Sequence, residues 1–138
     1  MSDKLALFAL GSGVFALPVE RIVHILAAGK PFALPLLRPS IVGALVDRDE
    51  VVPVFDSATC LAAGTDADRV ALHVIYEAEI GRVALPAGRV LQMVESGQGT
   101  LRAPAVESSA ACKQVFFFQG REFPLLDVDE LFVPPSEA

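Results

Sequence analysis

At 138 residues the chain is sized for one domain, and with 53% hydrophobic residues and a mean hydropathy of +0.52 it excludes a disordered or low-complexity class. A net charge of −6 and a pI of about 4.8, with no cluster of Lys or Arg, exclude nucleic acid as the expected partner, because phosphate-backbone binding needs a basic patch. No run approaches the roughly eighteen apolar residues of a membrane helix, so the expectation is a soluble, cytoplasmic protein without membrane insertion.

Leu5 to Leu10 has some character of a secretory h-region, but Met1 to Lys4 carries one acid and one base and the run breaks at Gly11-Ser12-Gly13. It reads as a strand, paired with Val14 to Leu17 in a first hairpin that Pro18 interrupts. Val19 to Leu26 fits helix and strand about equally by apolar spacing; its β-branched content and its place between Pro18 and Gly29 favour strand. Gly29 to Pro39, with prolines at 31, 35 and 39, is an extended loop. Ile41 to Val46 and Val51 to Phe55 then flank the charged quartet Asp47, Arg48, Asp49 and Glu50, which is the pattern of strand, turn, strand. Pro53 cannot donate to a ladder, which predicts an edge strand or a bulge there.

Asp56 to Ala63 reads as a helical turn capped by Asp56, with Gly64 closing it. Val70 to Ala78, a turn at Gly81, and Arg82 to Leu85 make another hairpin, ended by Pro86. Val90 to Glu95 is a short strand and Ser96 to Ser109 a loop. Gln114 to Phe118, the turn Gln119-Gly120-Arg121, and Phe123 to Leu126 form the last hairpin. Asp127, with Glu130 three residues on, has the spacing of a capping box, and residues 134–138 form a disordered tail.

An internal repeat runs through these elements. Gly13, Ala16, Leu17, Pro18 and Arg21 recur 68 residues later as Gly81, Ala84, Leu85, Pro86 and Arg89. Pro53-Val54-Phe55-Asp56 recurs as Pro124-Leu125-Leu126-Asp127 at an offset of 71. The chain is therefore expected to be one domain of two similar halves, about 5–64 and 70–133, each too short to bury a core alone. Two such halves share a core and leave a groove where they meet.

Little in the chain points to chemistry. Asp56-Ser57-Ala58-Thr59 is similar to the Asp-Thr/Ser-Gly loop of aspartic proteases, but those enzymes need two such loops so that two carboxylates share a proton. The second copy reads Asp127-Val128-Asp129-Glu130, which leaves Asp56 and Asp127 as helix caps and the protease as a remote alternative. His24 and His73 lie in apolar runs without partners in sequence, and Cys60 and Cys112 read as buried thiols of a reducing cytosol. No nucleotide-binding glycine motif or metal-ligand spacing is present, so neither cofactor nor metal is expected. Arg48, between two acids at a turn tip, is either a solvated charge or a partner contact held by the strands beneath it.

The order of features resembles the CheW-like domain, the chemotaxis coupling-protein family, over nearly the whole chain. The residues that carry this are Phe8-Ala9-Leu10-Gly11, Phe15-Ala16-Leu17-Pro18-Val19 with Ile22 and Ile25, Leu34-Pro35, and Gly43 through Pro53-Val54-Phe55-Asp56. Gly81-Arg82-Val83-Ala84-Leu85 and Phe123-Pro124-Leu125-Leu126-Asp127 complete the set. The resemblance implies a mostly β fold, two SH3-like five-stranded barrels packed around a shared core, and no enzymatic activity. It implies an adaptor that couples a chemoreceptor cytoplasmic tip to the regulatory domain of a CheA-type histidine kinase. A degenerate assembly or inhibitory module without kinase binding is the alternative within the family.

By position, the resemblance assigns a receptor-facing groove to Ile22, His24 and Arg48. The family hairpin usually reads Gly-Val-Ile-Asn-Leu-Arg-Gly; here it is Gly43-Ala44-Leu45-Val46-Asp47-Arg48-Asp49, and a family Glu is replaced by His24. Asp47 and Asp49 flank the retained arginine and join the candidate contacts, and the chain reads as a divergent member.

Overall fold

The computed structural model describes residues 4–10, 13–27, 41–55, 70–103 and 112–129. Short apolar runs bounded by Gly, Pro and charged turn residues form strands almost throughout, and the central ones are buried on both faces. In chain order these are β1 (Lys4–Leu10), β2 (Gly13–Pro18), β3 (Ile22–Ala27), β4 (Ile41–Asp47), β5 (Glu50–Phe55) and β6 (Leu72–Ala78). They continue with β7 (Gly81–Ala87), β8 (Arg89–Glu95), β9 (Thr100–Arg102), β10 (Cys112–Phe118) and β11 (Arg121–Leu126). Leu5–Leu10, with its faint signal character, is a buried strand between β8 and β2. The ambiguous stretch divides into a 3-10 turn at Val19–Arg21 and strand β3.

Two sheets result, a six-stranded one in the order β8-β1-β2-β11-β10-β9 and a five-stranded one in the order β3-β6-β7-β5-β4. The repeat relates them strand for strand, because β1 and β2 correspond to β6 and β7, β3 to β8, and β4 and β5 to β10 and β11. Leu10 pairs with Gly13 as Ala78 pairs with Gly81, and the parallel contact of Leu125 with Ala16 matches that of Val54 with Ala84. Bulges fall at matching places as well, beside Val23 and Leu91 and beside Val42 and Lys113. Neither sheet is built from one half of the sequence. Each takes its central hairpin from one half and its flanking strands from the other, so the halves are exchanged.

The exchange creates the shared core. Ala6, Phe8, Leu10, Phe15 and Leu17 of the first central hairpin pack with their counterparts Val74, Tyr76, Ala78, Val83 and Leu85 in one buried cluster. Phe8 and Phe15 stack at 5.3 Å between ring centroids within it. Burial pushes the Tyr76 phenol up to about 12, with Arg21 opposing and the carboxylates of Asp129, Asp127 and Glu20 adding to the rise. The other face of each sheet encloses its own smaller interior. Leu5, Leu7, Ala16, Val94, Phe116, Phe118 and Phe123 fill the first, and Val52, Val54, Ile75 and Ala84 fill the second.

Four local expectations need correction. Pro86 does not end its strand; it lies inside β7 opposite His73, and the parallel neighbour β5 is registered with β7 only through the bridge of Val54 to Ala84, so the missing N–H breaks no ladder. For the same reason Pro53 is tolerated in β5, which lies between β7 and β4 rather than at an edge, and the bulge sits on β4 between Ile41 and Gly43. The charged quartet supplies a turn of only two residues, because Asp47 and Glu50 already pair. In place of a loop from Ser96, the chain forms a 3-10 turn at Ser96–Gln98 and the edge strand β9. A Cβ at Gly99 would strike the Phe116 ring and the Phe117 carbonyl, which ties the start of β9 closely to β10. The helical turn capped by Asp56, the proline-rich loop, Cys60 and the tail lie outside the described residues, as does the side chain of Cys112.

His73 is buried in the second sheet's interior at 3% exposure, and its Nδ1 has no hydrogen-bond partner. Burial lowers its pKa below the ordinary histidine value of about 6.5. As pH falls through that value the unfolded chain binds the proton first, so this contribution to stability is full above about pH 6.5 and is lost progressively below it. His73→Leu is therefore expected to flatten the dependence of denaturation midpoint on pH between about 7.5 and about 5. Urea titrations across that range check it, and an unchanged slope would assign the acid sensitivity to other groups.

Candidate functional site

The five candidate residues lie on β3 and on the β4–β5 hairpin, at opposite edges of the second sheet. In a flat sheet they would be far apart. Here the sheet curls until its edges meet, and His24 on β3 reaches Asp47 at the end of β4 with Nε2 2.8 Å from Oδ2. A carboxylate can only accept, so the imidazole N–H donates. The two side chains retain 19% and 6% of their exposure, which makes this a largely desolvated contact between residues 23 apart in sequence. Register explains the meeting: His24 pairs with Ile75 and faces the interior with it, and Asp47 shares the inward face of β4 with Leu45.

Arg48 and Asp49 form the turn beyond Asp47, with φ of 51° and 66°. Positive φ at both central residues is the mark of a type I′ turn, whose twist matches that of the strands. Both side chains are exposed. Beneath them Val46 and Val51 form a cross-strand pair at 55% and 66% exposure, so the hairpin tip offers apolar surface as well as charge. Arg82 of β7 lies 3.6 Å from Glu50, which brings the turn carrying the exposed Ile80 to the same end of the barrel. Ile22 is half-buried, pairs with Tyr76 and packs on the shared core. The structure thus joins His24 to Asp47, presents Arg48 and Asp49 together, and turns Ile22 towards the core. Val46 and Val51 were missed because a continuous apolar run gives no sign of which face of the strand stays open.

A separate groove lies where the barrels join. Two adjoining hollows of about 390 and 170 Å³ share Pro18, Gln114 and Leu125, and extend to Leu101 at one end and Tyr76 at the other. Glu20 and Arg21 form part of its wall, next to Ile22 in sequence, but none of the five candidates lines it. Arg21 also donates to the Glu77 carbonyl at 3.0 Å and lies 3.6 Å from Asp129, whose other oxygen accepts from the Glu79 N–H at 2.8 Å. These bonds tie the segment after β11 to the second barrel. Among the described residues no group of three or more His, Cys, Asp or Glu is arranged to hold a metal, and no helix is long and apolar enough to cross a membrane.

Two outcomes follow from this geometry. Asp47→Ala leaves a partly buried imidazole unpaired and is expected to cost about 1–3 kcal/mol in chemical denaturation, with a coupling of about 0.5–3 kcal/mol to His24→Ala in a double-mutant cycle. Additive effects would mean that the bond contributes nothing to closure. Asp49→Gly places at the second turn position the residue that its repeat counterpart, Gly120 at φ 76°, already has. Relief of the left-handed backbone strain should raise stability by roughly 0.5 kcal/mol in the same measurement.

The family model described as CheW-like domain matches residues 4–134. The scaffolding protein TtCheW from Thermoanaerobacter tengcongensis has the same fold, with a TM-score of 0.81 at 15% identity over 96% of this chain and 89% of that one. No curated protein matches the chain. With two curled sheets about a common core and a family match across nearly all of its length, the chain belongs to the CheW-like domain family.

Proposed function

We propose that this protein is a non-catalytic adaptor that couples a receptor-like cytoplasmic partner to the regulatory domain of a CheA-type histidine kinase. The β4–β5 hairpin tip is the observation that carries this reading. A single flexible arginine would be a poor contact, because ordering it costs side-chain entropy. Here Arg48 stands on a two-residue turn, over an exposed valine pair, on a strand whose end is anchored by Asp47 to His24. That combination of apolar surface, a presented cation and a rigid base suits protein recognition. Asp49 beside Arg48 favours a partner surface of mixed charge. His24 and Asp47 serve the same site from behind by anchoring the end of β4, and Ile22 holds β3 on the shared core.

The fold likeness to a scaffolding protein and the family match support the adaptor reading over catalysis. Within the family, retention of an exposed arginine favours active coupling over a degenerate module without kinase binding.

Calorimetry with the kinase regulatory domain and a receptor cytoplasmic tip from the same genome tests the proposal. Association is expected at micromolar affinity, as befits a small interface. Arg48→Ala should weaken binding to one of the two partners by about tenfold while leaving the denaturation midpoint unchanged. Failure of the intact protein to bind either partner at about 50 µM would overturn the coupling role.

A further inference from the structure

The repeat exposes an asymmetry between the barrels. It maps His24 onto Gln92 of β8, Asp47 onto Phe118 of β10, and the turn Arg48-Asp49 onto Gln119-Gly120, which has the same pair of positive φ values, 50° and 76°. In the second barrel this seam is closed by the chain's own carboxylate, donated to by His24. In the first barrel Phe118 stands where Asp47 would be, and the seam is a cavity of about 200 Å³. Its floor is apolar, formed by Leu7, Phe118 and Phe123, and its rim carries Gln92, Gln119 and Arg121. The guanidinium of Arg121 lies 5.6 Å from the Phe123 ring centroid. Among the described residues no carboxylate is within ion-pair distance of it.

We propose that this seam binds an extended segment of a protein partner that presents an apolar side chain beside a carboxylate. The volume is below the roughly 300 Å³ at which pockets begin to take drug-sized ligands, and suits one side chain. The apolar floor takes the side chain, the two glutamine amides can donate to backbone or carboxylate oxygens, and Arg121 supplies a charge that no carboxylate among the described residues pairs with. The incoming carboxylate does from outside what Asp47 does from within the other barrel. This surface is distinct from the β4–β5 tip and does not depend on the coupling role.

The test is a titration of the full-length, isotope-labelled protein with acetyl-Gly-Leu-Glu-Gly-amide and, separately, with its Gln analogue, followed by amide chemical shifts. The Glu peptide should give saturable shifts centred on Gln92, Gln119 and Arg121, with a Kd of about 1 mM, as expected for so few contacting atoms. Arg121→Gln, an exposed replacement at the start of β11, should weaken the Glu peptide by roughly tenfold and leave the Gln peptide unchanged. Gln92→Phe, which fills the mouth, should abolish binding of both, with a native spectrum as the check on folding. The proposal is overturned if the Glu peptide gives no shifts at the seam up to about 10 mM. It is also overturned if the two peptides bind equally well, or if either variant binds as the parent does.

Discussion

The structure depends on one constraint: neither half of the sequence has enough apolar surface on one face to close a core without the other. A two-stranded hairpin is marginal in water, and a small curled sheet buries only its inner side chains. Here the central hairpins carry apolar residues on both faces. One face fills its own barrel and the other meets the opposite hairpin, Phe8 and Phe15 against Tyr76 and Val83. Exchange of flanking strands between halves then makes each barrel depend on the whole chain. The barrels cannot drift apart without exposing the largest buried cluster among the described residues.

Closure of each barrel is a second and weaker requirement, and the two barrels meet it differently. Edge strands β3 and β4 share no ladder, so the seam of the second barrel has to be closed by side chains. His24 and Asp47 do this with a hydrogen bond that replaces water on two polar groups. At the matching seam of the first barrel the residues are Gln92 and Phe118, and an open cavity remains. The edge there is extended by β9, where Arg102 stacks over Phe117 at 4.4 Å. A duplicated architecture has thus acquired one interior with the polar groups His24, Asp47 and His73, and one whose buried side chains among the described residues are apolar. The two ends of the molecule offer different chemistry to partners.

Strand positions were legible because short apolar runs, many of them β-branched, are bounded by turn residues. Where the reading failed, the cause lay in neighbours. Pro53 and Pro86 are harmless because the parallel contact of β5 with β7 is a single bridge, a fact of sheet order rather than of composition. Thr100 to Arg102 became a strand only because β10 offered a free edge. Asp47 read as part of a charged tip, yet it is 6% exposed, because the curl of the sheet brings His24 over it.

By itself, the sequence determined the apolar strand runs, the places where the chain turns, the repeat and, through the order of its motifs, the family. These are local or order-dependent properties, written in side chains a few residues apart or in spacing that survives divergence. Tertiary structure alone decided that the halves exchange strands, that His24 meets Asp47, that Val46 and Val51 stay open, and that the seam at Gln92 is a cavity. Each of these depends on how far a sheet curls and on which edges come together. Curl is a collective result of twist and packing, and no single residue records it.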